Sequence, residues 1–134
     1  NEFNEPMDGI VYGVVVSLGF ATYENYDYVF RLAEAWDVDP MQMAIWRSYS
    51  AVPMHGLNGV VMGYFFGLYA FTGNKNYLIL SILLPYLIHG TYNYLTYPDH
   101  FFVILFALII SKFLHNKIKK VQSKKKKENE IKKV

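Results

Sequence analysis

The charges of this 134-residue chain are segregated along its length, and that limits what it can fold into more than any other feature. Ten lysines lie in the last 23 residues, from Lys112 onward, whereas the first 111 residues hold only three basic side chains, Arg31, Arg47 and Lys75. Once the lysine-rich end is set aside, the body is too apolar for an ordinary soluble domain. The reading is an all-α, polytopic membrane helix bundle. The absence of cysteine excludes a disulfide framework, a thiolate zinc site and a cysteine nucleophile.

A bilayer core about 30 Å thick needs roughly 20 apolar residues at 1.5 Å each. Four stretches are expected to span it: Ile10–Phe30, Ala51–Phe71, Tyr77–Tyr97 and Phe101–Leu114. The second has the clearest pattern, and the third carries Pro85 as a kink point. The fourth is short and needs Pro98–His100 and Lys112 at its ends to reach across. Between the first two lies a polar stretch, Arg31–Ser50, in which Trp36–Trp46 reads as a short interfacial helix with its tryptophans at headgroup level. Gly73–Asn76 and Tyr97–His100 read as tight turns. Residues 1–114 then form a membrane-embedded core and residues 115–134 a basic cytoplasmic tail.

The tail sets the orientation, because basic segments beside a span stay in the cytoplasm. Counting back puts Gly73–Asn76 inside, Arg31–Ser50 outside and Asn1–Pro6 inside. The partner expected for the tail is anionic membrane lipid, and no nucleic acid is expected beside a membrane span. Asn1 is not a start residue and Asn1–Pro6 has neither a basic n-region nor an apolar h-region. No signal peptide is therefore expected, and the chain reads as part of something longer.

Polar residues inside the spans are the candidates for function. Glu24, followed by Asn25, lies near the outer end of the first span. His55 lies about one turn into the second. His89 is deeper in the third, with Asn93 four residues on and therefore on the same face. Each has a bland alternative: Glu24 snorkels to the headgroups, His55 is interfacial, and His89 with Asn93 is an interhelical hydrogen-bond pair. At 1.5 Å per residue, Glu24, His55 and His89 lie about 9, 6 and 12 Å below the outer surface. Three separate helices bringing a carboxylate and two imidazoles to similar depth favours one shared site. Gly9 and Gly13, and Gly59, Gly63 and Gly67, repeat every four residues and read as packing faces. His100 and His115, at span ends, receive no role.

A glutamate, two histidines and an asparagine in a semi-polar cavity suit hydrolysis. In one version His55 and His89 ligate a divalent metal such as zinc through neutral imidazole, with a carboxylate, Glu24, as a further ligand or as base. In the other a carboxylate activates water directly while a histidine or asparagine stabilises the oxyanion. No phosphate-binding or dinucleotide motif is present, and Ser17, Ser48, Ser50, Ser81 and Ser111 have no evident base partner.

At these same residues the chain resembles the PrsW-type intramembrane proteases, distant relatives of the CAAX prenyl protease and bacteriocin-immunity membrane proteases. The resemblance rests on Asp8-Gly9-Ile10-Val11-Tyr12-Gly13, on Gly19-Phe20-Ala21-Thr22-Tyr23-Glu24-Asn25, on the glycine-spaced helix from His55 to Gly67, and on His89-Gly90-Thr91-Tyr92-Asn93. It covers roughly Glu2 to Leu95, in order. It implies a multi-pass protein of the bacterial cytoplasmic membrane that cuts membrane-anchored proteins, in some members an anti-sigma factor, on the outer side. Carried over by position, it also implies Glu24, of the glutamate–asparagine motif, His55 and His89 as active-site residues; Asn25 is expected to line the same catalytic cavity and Asn93 its edge. The family's first motif, Glu-Glu-x-x-Lys/Arg on an earlier helix, is absent. The chain is therefore expected to be the C-terminal part of a larger bundle, inactive without upstream helices of the same protein.

Two other readings compete with the enzyme. One is a catalytically inactive membrane relative that scaffolds or binds a partner. The other is a small transporter or channel subunit using Glu24 and the histidines as an ion path; no inverted repeat between the halves supports it.

Overall fold

A computed structural model describes residues 3–95 and 99–131, and every described regular element is helical. In order they are α1 (Pro6–Asp27), a π-helical stretch (Tyr28–Leu32), α2 (Ala33–Ala35), α3 (Pro40–Tyr49), α4 (Ala51–Thr72), α5 (Lys75–Tyr94) and α6 (His100–Ile131). The expected turn at Tyr97–His100 falls partly on residues 96–98, outside the described residues, as do Lys132 and Lys133 of the tail.

Local signals account for the helix ends. Pro6 opens α1 at a position where its missing N–H costs nothing, and the Asp8 carboxylate accepts the Glu5 backbone N–H at 2.7 Å, closing a capping box. Pro40 opens α3 in the same way, with the Asp39 carboxylate accepting from Gln42 N at 2.8 Å. Gly73 ends α4 at φ 70°, a left-handed conformation that a side chain would strain. One residue, Ser50, separates α3 from α4, so the two helices follow each other almost directly.

α4 is the central helix, touching α1, α3, α5 and α6. Its contact with α1 is backbone against backbone. A Cβ added at Gly13 would lie 2.5 Å from the Gly59 carbonyl oxygen and 2.7 Å from Gly63 Cα; one at Gly9 would lie 2.5 Å from the Gly63 carbonyl oxygen. The glycine faces read from the sequence are therefore the α1–α4 interface. One apolar cluster joins Ile10 of α1, Val61 and Tyr64 of α4, and Leu114 and Ile118 of α6. A second joins Ala51 and Met54 of α4, Tyr92 of α5 and Val103 of α6. Buried polar groups add cross-links: Asn58 Nδ2 donates to the Pro85 carbonyl at 2.9 Å, and Ser111 Oγ to the Leu57 carbonyl at 3.0 Å.

Three expectations need correction. The fourth span, expected over Phe101–Leu114, lies in a helix that runs unbroken to Ile131, with Ile118 fully buried in the core. Residues 100–124 are also the one stretch, among the described residues, long and apolar enough to cross a membrane, although this span was read as the weakest. The other long helices fall short because glycines, tyrosines and the site's own polar residues dilute their apolar side chains. The short helix expected over Trp36–Trp46 is Pro40–Tyr49; Trp36 lies outside it because Asp37 adopts φ 54° and turns the chain.

The glycine contact makes a direct prediction. Gly13→Ala and Gly63→Ala force α1 and α4 apart and should each lower stability by about 1–3 kcal/mol, the usual range for overpacking. Gly90→Ala should not, because a Cβ at Gly90 meets nothing within 4 Å. Thermal unfolding in detergent, compared across the three variants, checks the contrast.

Candidate active site

Four helices deliver the polar side chains to one place. Glu24 projects from the last turn of α1, His55 from the start of α4, His89 from α5, and Arg47 from α3. The Glu24 carboxylate is the hub. Its Oε2 accepts from Arg47 Nη2 at 2.5 Å and lies 3.1 Å from His55 Nε2. Its Oε1 lies 3.5 Å from His89 Nε2. The two imidazole rings are 4.9 Å apart between centroids. Phe20, one turn below Glu24 on α1, packs against both rings at 5.6 and 6.2 Å and walls the cluster.

Ser17 fixes the height of α4 against α1 by donating to the His55 carbonyl at 2.7 Å. His55 is 2% exposed, so its polar edge is spent inside the protein. His89 Nε2 is buried and makes no hydrogen bond within the described residues, its approach to Glu24 Oε1 being too long or poorly aligned for one. A buried imidazole nitrogen left this way costs free energy unless something else uses it. Its other nitrogen, Nδ1, lies 3.4 Å from the Asn93 side-chain amide, which stands exposed at the edge of the site. Asn25 is joined to the cluster through Arg47, its Oδ1 accepting from Arg47 Nε at 2.6 Å. The structure thus brings together Glu24, His55 and His89 directly, Asn93 through His89, and Asn25 through Arg47.

Arg47 is the residue that sequence reasoning missed. It is 7% exposed, pairs with Glu24 and Asn25, and its guanidinium stacks 3.7 Å from the centre of the Tyr28 ring. In the sequence it counted only as one of two basic residues on the outer side. The available signal was periodicity: Met43 and Arg47, four residues apart, are the buried residues of α3, and Ser50 is buried just past its end. His100, which received no role, stacks on Tyr92 at 4.1 Å, away from the cluster's direct contacts.

The donor set fits a metal. One carboxylate oxygen and one nitrogen from each histidine lie within 4.8 Å of one another. Two neutral imidazoles and a carboxylate are a set that catalytic zinc takes, with a fourth position left for water.

The family model described as PrsW family intramembrane metalloprotease matches residues 1–118. Three proteins called Protease PrsW are similar to the chain. That of Clostridioides difficile (strain 630) is 34% identical, over 93% of this chain and 55% of its own length. That of Geobacillus kaustophilus (strain HTA426) is 43% identical, over 71% and 40%. That of Bacillus subtilis (strain 168) is 40% identical, over 69% and 41%. The chain thus spans about half the length of these relatives or somewhat less. No solved structure matches it.

The hub role of Glu24 sets an order of stabilities. Glu24→Ala leaves a buried guanidinium without its counter-charge and should cost about 1–3 kcal/mol or more. Glu24→Gln keeps an oxygen for Arg47 and should cost less. His89→Ala, which removes a poorly satisfied side chain, should cost least of the three. Unfolding midpoints of the variants test that ranking.

Proposed function

The chain belongs to the PrsW family of intramembrane metalloproteases, and on that premise we propose that Glu24, His55 and His89 form, within the whole protein, the hydrolytic centre of an endopeptidase that cuts membrane-anchored proteins. The observation that carries the reading is their convergence from three helices, with one ligand atom from each within 4.8 Å of the others. Two finer points belong to the same proposal. α1, α4, α5 and α6 span the bacterial cytoplasmic membrane with both ends of the segment cytoplasmic and the site in the outer half. A single-span anti-sigma factor is the substrate to test first. The topology draws support from the lysine-rich end of α6 and from apolar side chains exposed outward along the helices, among them Val15 and Val16, Ile79 and Ile82, and Phe102 and Phe106.

A zinc-type ion held by Glu24, His55 and His89 would supply a Lewis acid for the scissile carbonyl and a bound water with a pKa near 7. The protein's own groups do the positioning. Arg47 and His55 both engage Oε2, so the carboxylate cannot rotate freely and Oε1 is the oxygen turned toward His89. Asn93 orients the His89 ring through Nδ1, as partners of metal-binding histidines commonly do. Phe20 packs against both imidazole rings, and the burial of His55 takes its ring out of water, which strengthens the contact it makes with Glu24.

The test uses the whole protein with a membrane-anchored substrate. Glu24→Gln, His55→Gln and His89→Gln should each slow cleavage by about 100-fold or more, since each removes a group from a small set that acts at the reacting atoms. Asn93→Ala should be milder if it acts only through His89. Chelation should abolish activity and added zinc should restore it. Normal cleavage by both histidine variants, with intact protein in the membrane, would refute the assignment, and full activity after verified metal removal would refute the metal.

A further inference from the structure

Arg47 does more than balance a charge, and its partners say what. We propose that Arg47 is a positioning residue that clamps Glu24 and Asn25 together, fixing the Asn25 side chain so that its amide N–H is the donor offered to the substrate carbonyl. This rests on the protease reading above and adds a specific role for two residues on it.

The geometry is that of a fork. Nε and Nη2 lie on one edge of the planar guanidinium, and two consecutive residues of α1 receive one donor each: Asn25 Oδ1 at 2.6 Å and Glu24 Oε2 at 2.5 Å. Arginine has donors and no acceptor, so the Asn25 atom facing it must be the oxygen. That leaves Asn25 its NH2 group. Glu24 alone neutralises the guanidinium, so the second bond, to a neutral amide, contributes orientation rather than charge balance. The plane of the fork is itself held from behind by Tyr28, the first residue of the π-helical stretch, at 3.7 Å. Such stretches recur at functional sites because they redirect side chains. Lysine, a point charge on a flexible stem, can neither bridge the two acceptors in one plane nor stack in this way.

A purely structural ion pair would need Glu24 and a positive charge, and nothing from Asn25. The experiment therefore turns on Asn25 as much as on Arg47. In the whole protein, Arg47→Lys should lower kcat by about 10- to 100-fold, the range for residues that orient a reactive set, with KM changed by less than about threefold. Asn25→Ala should lower kcat by about 100-fold, the loss typical of one oxyanion donor. Asn25→Asp keeps an oxygen for Arg47 and loses the donor, so it should keep the Arg47 Nε–H protected from exchange yet be as inactive as Asn25→Ala. The Arg47→Lys, Asn25→Ala double variant should lose at least about fivefold less than the product of the single losses.

An activity-independent readout separates this proposal from the protease reading. With 15N-labelled arginine, the Arg47 Nε–H signal, identified by its loss in Arg47→Lys, should be protected from exchange in wild type and in His89→Gln, and unprotected in Asn25→Ala. Protection unchanged in Asn25→Ala overturns the clamp whether or not the protein is a protease. So does wild-type kcat in Asn25→Asp, or single losses that simply multiply. If Arg47→Lys does not accumulate, Asn25→Asp and the exchange measurement on Asn25→Ala still decide the matter.

Discussion

The close contact between α1 and α4 is the constraint on which the rest depends. Helices that lie in lipid, as proposed for these, gain little from burying more apolar surface and associate where their backbones can approach. Here Gly9 meets Gly63 and Gly13 meets Gly59, each four-residue step up α1 matched by one down α4. The same antiparallel step brings Ser17 to the carbonyl of His55, where it makes its hydrogen bond. Two turns further along α1, past the first residue of α4, Asn25 accepts a hydrogen bond from Arg47 of α3. The interface that packs the bundle thus sets the height at which a carboxylate, an amide, an imidazole and a guanidinium meet.

Gathering them has an electrostatic cost that the arrangement offsets internally. A buried guanidinium is tolerated only with a counter-charge and filled donors, and Glu24, Asn25 and the Tyr28 face supply these. The cost is not offset everywhere. His89 Nε2 and Asn58 Oδ1 are both buried without a hydrogen bond among the described residues. The two differ in setting. Asn58 already anchors α4 to α5 through the Pro85 carbonyl, whereas His89 turns its idle nitrogen toward a carboxylate and a second imidazole.

Much of this was legible from the sequence, and the reasons are specific. The glycine spacing encoded the α1–α4 contact because only glycine permits it. Counting residues from the span ends placed Glu24, His55 and His89 at a common depth because helical rise is fixed. Arg47 escaped because its role depends on which way a short helix faces, and α3 is too short and mixed for its inward face to stand out among Met41, Ile45, Trp46 and Tyr49, which point outward. The last helix was underestimated because lysines mask its apolar length. Ile118, between Lys117 and Lys119, reads as tail yet is packed in the core beside Ile10 and Val61.

X-ray absorption at the zinc edge, on the purified whole protein, tests most directly whether these side chains form one metal-binding hydrolytic centre. The account predicts stoichiometric metal with two imidazole nitrogens and oxygen ligands at about 2.0–2.2 Å, one imidazole being lost on His55→Gln and one on His89→Gln. A protein that cleaves its substrate with no bound metal, or a metal shell unchanged by either substitution, would contradict it.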